Sequence, residues 1–396
     1  NKMSIIKSTR IESIDILRGL VMVIMALDHA RSYFHYGALF GDPTDLQTTT
    51  PFLFFTRFIT HYCAPIFVFL AGTSAFLYGS KKTKKELSKF LFTRGIWLIL
   101  LEIIVNNLIW TFDFSYSLNI FQVIWAIGLS MVFLSLIIYI PKKLSLIIGV
   151  VIVSGHNLLD GIVTEGTDPA SILWYIFHQD MFLPLSSSKM VVFHYPVLPW
   201  IGTIILGYHF GRLYIKEFDA LARRKWLLRL GAGAILLFII LRATNLYGNL
   251  LPWTIQKDSV YTFLSFINVT KYPPSLSFLL ITIGPSLLFL FLIETIKNKF
   301  TDFLLVFGRV PLFYYFAHVL VIHVLAVGLH AILGGQWQDL ILRAQDFMSP
   351  KLLDYGYSLL VVYSVWILTI LFLFPFCKKY MHYKANNKGK WWLSYL

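Results

Sequence analysis

Long apolar runs separated by short polar connections make up most of this sequence. Ten of them reach or approach the roughly 18 residues that cross a bilayer as a helix. They lie at about 13–36, 52–79, 88–111, 119–140, 143–159, 195–215, 226–247, 275–296, 303–330 and 355–377. The pattern predicts an all-α fold, a polytopic bundle of about ten transmembrane helices forming one integral membrane domain over residues 1–396. No internal repeat is strong enough to argue for inverted transporter halves.

Composition agrees. The chain is 57% hydrophobic and 14% charged, with a mean hydropathy of +0.69, whereas a soluble domain carries roughly 25% charged residues. The first run is too long and too charged for a cleavable signal peptide, so it reads as a retained helix. The formal net charge is +14. Its basic residues cluster in alternate connections. Lys2, Lys7 and Arg10 precede the first run, and "KKTKKELSK" (81–89) follows the second. Lys142 and Lys143 follow the fourth, and Lys216, Arg223, Arg224 and Lys225 the sixth. Lys297 and Lys299 follow the eighth, and Lys378, Lys379 and Lys384 the tenth. The opposite connections carry Asp42, Asp45, Asp113, Asp160, Glu165 and Asp168. The positive-inside rule then puts both termini in the cytoplasm, in a multi-pass protein of the plasma or inner membrane. No basic arm, zinc-finger spacing or basic-aromatic groove pattern is present, so no nucleic-acid partner is expected. Cys63 and Cys377 fall at different depths, and no disulfide is expected. The histidines lack metal-site spacing, so no metal is expected either.

The first run, "SIDILRGLVMVIMALDHARSYFH" (13–35), carries Asp15, Arg18, Asp28 and His29. Ionisable groups within a membrane helix are costly and tend to serve a function. At 100° per residue, positions 15, 18, 22, 25 and 29 form one stripe, and Asp28 lies about 100° away. Arg18 and His29 are then separated by roughly 16 Å along the axis. Singly, Arg18 reads as an inner-leaflet snorkel beside Asp15, and His29 as a helix–helix hydrogen bond. Together on one stripe they point to chemistry.

Here the sequence resembles known enzymes. "D-x-x-R-G", with His fourteen residues after the Asp, resembles the first helix of membrane acyltransferases that modify surface polysaccharides. Stretches spread along the chain resemble the heparan-α-glucosaminide N-acetyltransferase-like family: "RIESIDILRGLVMVIMALDHAR", "DPTDL" (42–46), "FITHYCAPIFVFLAGTSAFLYG" (58–79), "LPWIGTIILGYHFGR" (198–212) and "FGRVPLFYYFAHVLVIH" (307–323). The resemblance implies transfer of an acyl group, usually acetyl, from cytoplasmic acetyl-CoA to a sugar amine or hydroxyl on the other side. The lysosomal branch has Asn where this chain has His29, and a later histidine whose spacing His35 does not match.

Candidate site residues follow. His29 and His61 are candidate bases, with Asp28 beside the first. His61, before the helix-opening Pro65, reads equally as a helix–helix hydrogen bond. Arg18, Arg94, Arg212 and Arg309 are cations for the CoA phosphates, each with an ordinary inner-leaflet role as the alternative. A pantetheine arm reaches about 15 Å by ordinary bond lengths, close to the Arg18–His29 separation. Asp42 and Asp45, in the turn "DPTD", together with His318 and His323, are candidates for the sugar; a Pro turn with an Asp cap is the structural alternative. "GRVPLFYY" should break the ninth helix. Glu102, with Asn106 and Asn107, either orients a histidine or locks the bundle through an Arg. Expected partners are acetyl-CoA, a sugar or glycan acceptor and membrane lipids, and a homodimer is allowed. The rival reading is a transporter for a polar solute or lipid-linked sugar, using the same groups as a pathway.

Topology is directly testable. Lys84 is expected in the cytoplasm and residues 160–194 outside. A cysteine engineered in 165–170 should react with an impermeant thiol reagent in intact cells; labelling only after lysis would overturn this orientation.

Overall fold

Apolar residues lie all round residues 12–34, which predicts a helix enclosed by protein. The structure, a computed structural model, describes residues 11–38, 41–348, 352, 354–387 and 389–394, so Lys2, Lys7 and Arg10 lie outside the described residues. In it α1 (Glu12–Phe34) is the axis of the bundle, with 16 of its 23 residues buried. Its polar groups therefore face other helices rather than lipid.

α2 (Pro51–Thr60) and α3 (Cys63–Gly79) form one broken span, started by Thr50, whose hydroxyl accepts from the Leu53 amide. The break at His61 and Tyr62 follows from Pro65, which has no N–H to offer the His61 carbonyl. α4 (Lys84–Leu100) continues through a π-helical turn (Leu101–Asn106) into α5 (Asn107–Thr111). Strand β1 (Leu118–Phe121) leads into α6 (Val123–Ile137), and α7 (Lys142–Gly155) follows. Next come α8 (Pro169–Phe177), β2 (Met181–Ser186), β3 (Lys189–Phe193) and α9 (Leu198–Phe210). The rest is helical: α10 (Ala220–Thr244), α11 (Ser259–Ile267), α12 (Leu276–Ile293), α13 (Lys299–Arg309), α14 (Pro311–Ile332), α15 (Ala344–Met348) and α16 (Leu359–Asn386). The expected break in "GRVPLFYY" falls at Val310, between α13 and α14. α1 packs against α2, α3, α12, α13, α14 and α16.

The all-α bundle is present, but the count of spans differs. Among the described residues six helical spans are long and apolar enough to cross a membrane: 51–79, 142–159, α10, α12, α14 and α16. Four other expected spans fall short for physical reasons. α1 carries Glu12, Asp15, Arg18, Asp28 and Arg31, and α4 begins in a lysine-rich turn. α6 has only 15 residues and α9 only 13. α7, α10 and α16 expose broad apolar faces, including Val151, Leu236 and Phe372. Such faces suit hydrocarbon and not water. A second difference is a three-stranded sheet in the order β1–β3–β2, β1 parallel and β2 antiparallel to β3. Residues 119–121, expected to be helical, are part of it.

Helices cross closely at small residues, as membrane helices do. A Cβ on Gly19 of α1 would collide with the Leu304 carbonyl of α13, and one on Gly308 with the Asp15 carbonyl. Neither backbone can yield. Gly19→Ala should therefore cost roughly 1–3 kcal/mol by overpacking. Gly233→Ala in α10, which meets nothing within 4 Å, should be neutral or slightly stabilising. Thermal melts in detergent check this; equal melting of the two variants would contradict the close crossing.

Candidate active site

At the end of the bundle where α1 finishes lies a cavity of about 930 Å³. α1 supplies Asp28, His29, Arg31 and Ser32, and α2 with its break supplies Arg57 and His61. The sheet forms a wall through Leu118, Ile120, Phe182, Met190 and Val192, and the loop 268–272 closes another side.

An ion cluster ties the first two helices together here. The Asp28 carboxylate accepts from Arg31, one turn on in α1, at 3.1 Å, and from Arg57 of α2 at 2.5 Å. The other end of the Arg57 guanidinium lies 3.4 Å from the Tyr272 hydroxyl. All three charges are largely enclosed, and such a group is tolerated only when its partners are complete.

His29 points the other way, to α14. Its Nδ1 lies 2.7 Å from Nε2 of His318, and His318 Nδ1 lies 2.6 Å from the Tyr314 carbonyl. A carbonyl only accepts, so His318 carries its proton on Nδ1 and offers a lone pair at Nε2. His29 must then donate from Nδ1. This network assigns the lone pair of neutral His29 to Nε2. That atom has no hydrogen-bond partner among the described residues, and His29 lines the cavity. Trp110 packs on the imidazole edge-on at 4.8 Å and fixes its plane.

A recess of about 30 Å³ lies behind the cavity, lined by Met25, Thr60, Cys63, Ala64 and Tyr315 among others. Asp28, His29, Gln122, Tyr195 and Lys271 line both spaces and so form the boundary, or neck, where the two adjoin. Space of this size holds roughly two waters or an acetyl-sized group. Outside the helices, the Tyr272 and His194 rings meet at 3.6 Å, tilted by 33°. Burial pushes the Tyr272 phenol up, but Lys271, His194 and Arg57 outweigh it and hold it below the usual tyrosine range. Burial pushes the His194 imidazole down, but Tyr272 and Asp180 outweigh that and hold it above its ordinary value.

The structure brings some of the expected residues together and separates others. Asp28, His29, His61 and Asp42 line the cavity, whereas Asp45 does not. Both Asp42 and Asp45 cap their own turn, accepting from Thr44 and from Gln47 and Thr48. His318 backs His29 rather than facing the cavity, and His323 lies between the carbonyls of Ile109 and Leu340 as a backbone staple. His35 sits at the end of α1 against the Tyr36 carbonyl. At the other end of α1, Arg18 and Arg309 share Asp15, at 2.8 and 3.8 Å, and Arg309 and Lys297 also reach Glu12. Arg94 lies partly buried in α4, and Arg212 is exposed in the turn after α9. Among the described residues Glu102 meets neither a histidine nor an arginine. It accepts from Asn106 and from the Trp125 amide, capping the start of α6. Sequence reasoning missed Arg57, Arg31, Gln122, His194, Tyr195 and Lys271. For Arg57 the signal was available: a cation inside an apolar run, one turn before His61.

The family model described as heparan-alpha-glucosaminide N-acetyltransferase, catalytic, matches residues 10–247, more than half of the 396-residue chain. A comparison with curated proteins finds no match.

The ion cluster predicts strong coupling. Asp28→Leu leaves two guanidinium groups without their carboxylate and should destabilise by roughly 3 kcal/mol or more. Adding Arg57→Leu should recover part of that loss. A double-mutant cycle read by thermal melting measures it; simple additivity would refute the cluster as a unit.

Proposed function

Since the chain belongs to the heparan-alpha-glucosaminide N-acetyltransferase catalytic family, we propose that it moves acetyl from acetyl-CoA to the amine or hydroxyl of a sugar held in the cavity, with His29 as general base. Membership makes it a multi-pass membrane protein of an acetyltransferase family. The donor, acceptor and base are our reading. The observation that carries it is the chain from the Tyr314 carbonyl through His318 to His29. A base needs a lone pair aimed at its substrate and a group behind it that fixes the tautomer. His29 has both. His61 also lines the cavity, but its Nδ1 is buried without a partner, so nothing fixes its tautomer.

In this reading the acetyl group enters the recess and the sugar occupies the cavity, so the two meet at the neck beside His29. The donor comes from the opposite end of α1. There Arg18, Arg309 and Lys297 outnumber Glu12 and Asp15, which leaves a positive surplus for the CoA phosphates. α1 is unbroken between Arg18 and His29, so the two stand roughly 16 Å apart, about the reach of a pantetheine arm. His29 takes the proton of the attacking amine or hydroxyl at Nε2. Its Nδ1–H remains bonded to His318 throughout.

His29→Ala should lower single-turnover transfer by roughly 10²–10⁴-fold while acetyl-CoA still binds. His318→Ala should lower kcat more than it changes either KM, because the base loses its tautomer and not its substrate. His61→Ala is the comparison, with folding checked in each variant. Loss with His61→Ala and retention with His29→Ala would move the base to the α2–α3 break. Solute uptake without CoA turnover by the unaltered protein would favour a transporter.

A further inference from the structure

The neck between cavity and recess holds a cation that neither the ion cluster nor the base uses. Lys271 is only 9% exposed and lines both spaces with His29. Its Nζ lies 5.0 Å from the centre of the Tyr272 ring. Among the described residues no carboxylate lies within salt-bridge distance of it. Asp28, which shares the neck, is already taken by Arg31 and Arg57. An enclosed ammonium without a carboxylate is costly to maintain.

The backbone around it is held from several sides. Arg242, buried at the end of α10, donates to the carbonyls of Leu251, Ser265, Phe266 and Asn268, just before Lys271. The Asn249 side chain accepts from the Thr270 amide and the Ser275 hydroxyl. His156 meets the Pro274 carbonyl at 2.8 Å. A donor carried on backbone pinned in this way has less to reorganise during a reaction, the property electrostatic catalysis needs.

The geometry points to Lys271 as a second catalytic residue, the group that stabilises the oxyanion formed when the sugar attacks the acetyl thioester. This rests on the acetyl transfer proposed above. The acceptor lone pair forms a bond to the thioester carbon, and the carbonyl electron pair moves to oxygen, facing the Lys271 ammonium. His29 Nε2 takes the acceptor proton. The oxygen lone pair then re-forms the carbonyl, the carbon–sulfur bond breaks, and the CoA thiolate receives the proton from His29.

The test is Lys271→Met and Lys271→Arg in the full-length protein, with labelled acetyl-CoA and methyl glucosaminide as probes. Lys271→Met should lower kcat by roughly 10²-fold or more, as loss of one oxyanion donor does. Both KM values should change little, thermal melting should stay near that of the unaltered protein, and Lys271→Arg should recover at least tenfold over Met. If Lys271→Met fails to fold, Lys271→Gln is read by the same split. A near-normal kcat in the folded Met or Gln variant overturns the role. A loss confined to the sugar KM also overturns it, making Lys271 an acceptor-binding residue. If the unaltered protein transfers nothing, the proposed reaction falls and this role falls with it.

Discussion

One carboxylate between two guanidinium groups sets the geometry of the site. Asp28 holds Arg31 within α1 and Arg57 across on α2. Charge in an apolar bundle survives only with its partners in place, so the end of α2 is fixed against the end of α1. Successive helix residues point about 100° apart. With Asp28 turned to α2, His29 is turned to α14, where His318 receives it. A single register of α1 thus serves the ion cluster and the His29–His318 pair together. A shift by one residue would break both.

How legible this was depends on distance along the chain. Local signals read well: Pro65 and Pro311 sit where the spans break, because a missing N–H acts within one turn. The polar stripe of α1 identified His29 before any partner was known. The partners themselves were illegible. His318 is 289 residues from His29, and no periodicity encodes which histidine meets which. The sequence makes His318 a candidate for the sugar, and the structure hydrogen-bonds it to His29. Glu102 was placed with a histidine or arginine, whereas it caps a helix start 23 residues on. The sheet escaped notice because β1 has four residues and β3 five, too short for a period-two pattern to stand out from apolar runs.

The long connections also read differently in three dimensions. Their aromatic residues suggest an interfacial belt, yet the connections themselves build much of the cavity. The sheet supplies one wall and the 268–272 loop another. Arg242, Asn249 and His156 pin that loop through backbone carbonyls and amides. These contacts reach main chain, so they hold the loop in place whatever its own side chains do. Polar side chains such as Lys271 and Tyr272 thereby gain fixed positions that a solvated loop would not give them.

The choice of a carbonyl behind His318 has a chemical consequence. A carboxylate in that place would bind the charged form of the histidine pair and compete for the proton that must later reach the leaving group. The Tyr314 carbonyl fixes the tautomer without adding charge. Among the described residues the carboxylate at the neck beside His29 is Asp28, and it already faces two guanidinium groups. No free carboxylate at the neck is therefore left to trap a proton on His29. In the reaction proposed above, a proton taken from a sugar amine or hydroxyl then has the departing thiolate as its natural destination. In that proposal the same histidine acts first as base and then as acid, because the residues around it position the ring without fixing its charge.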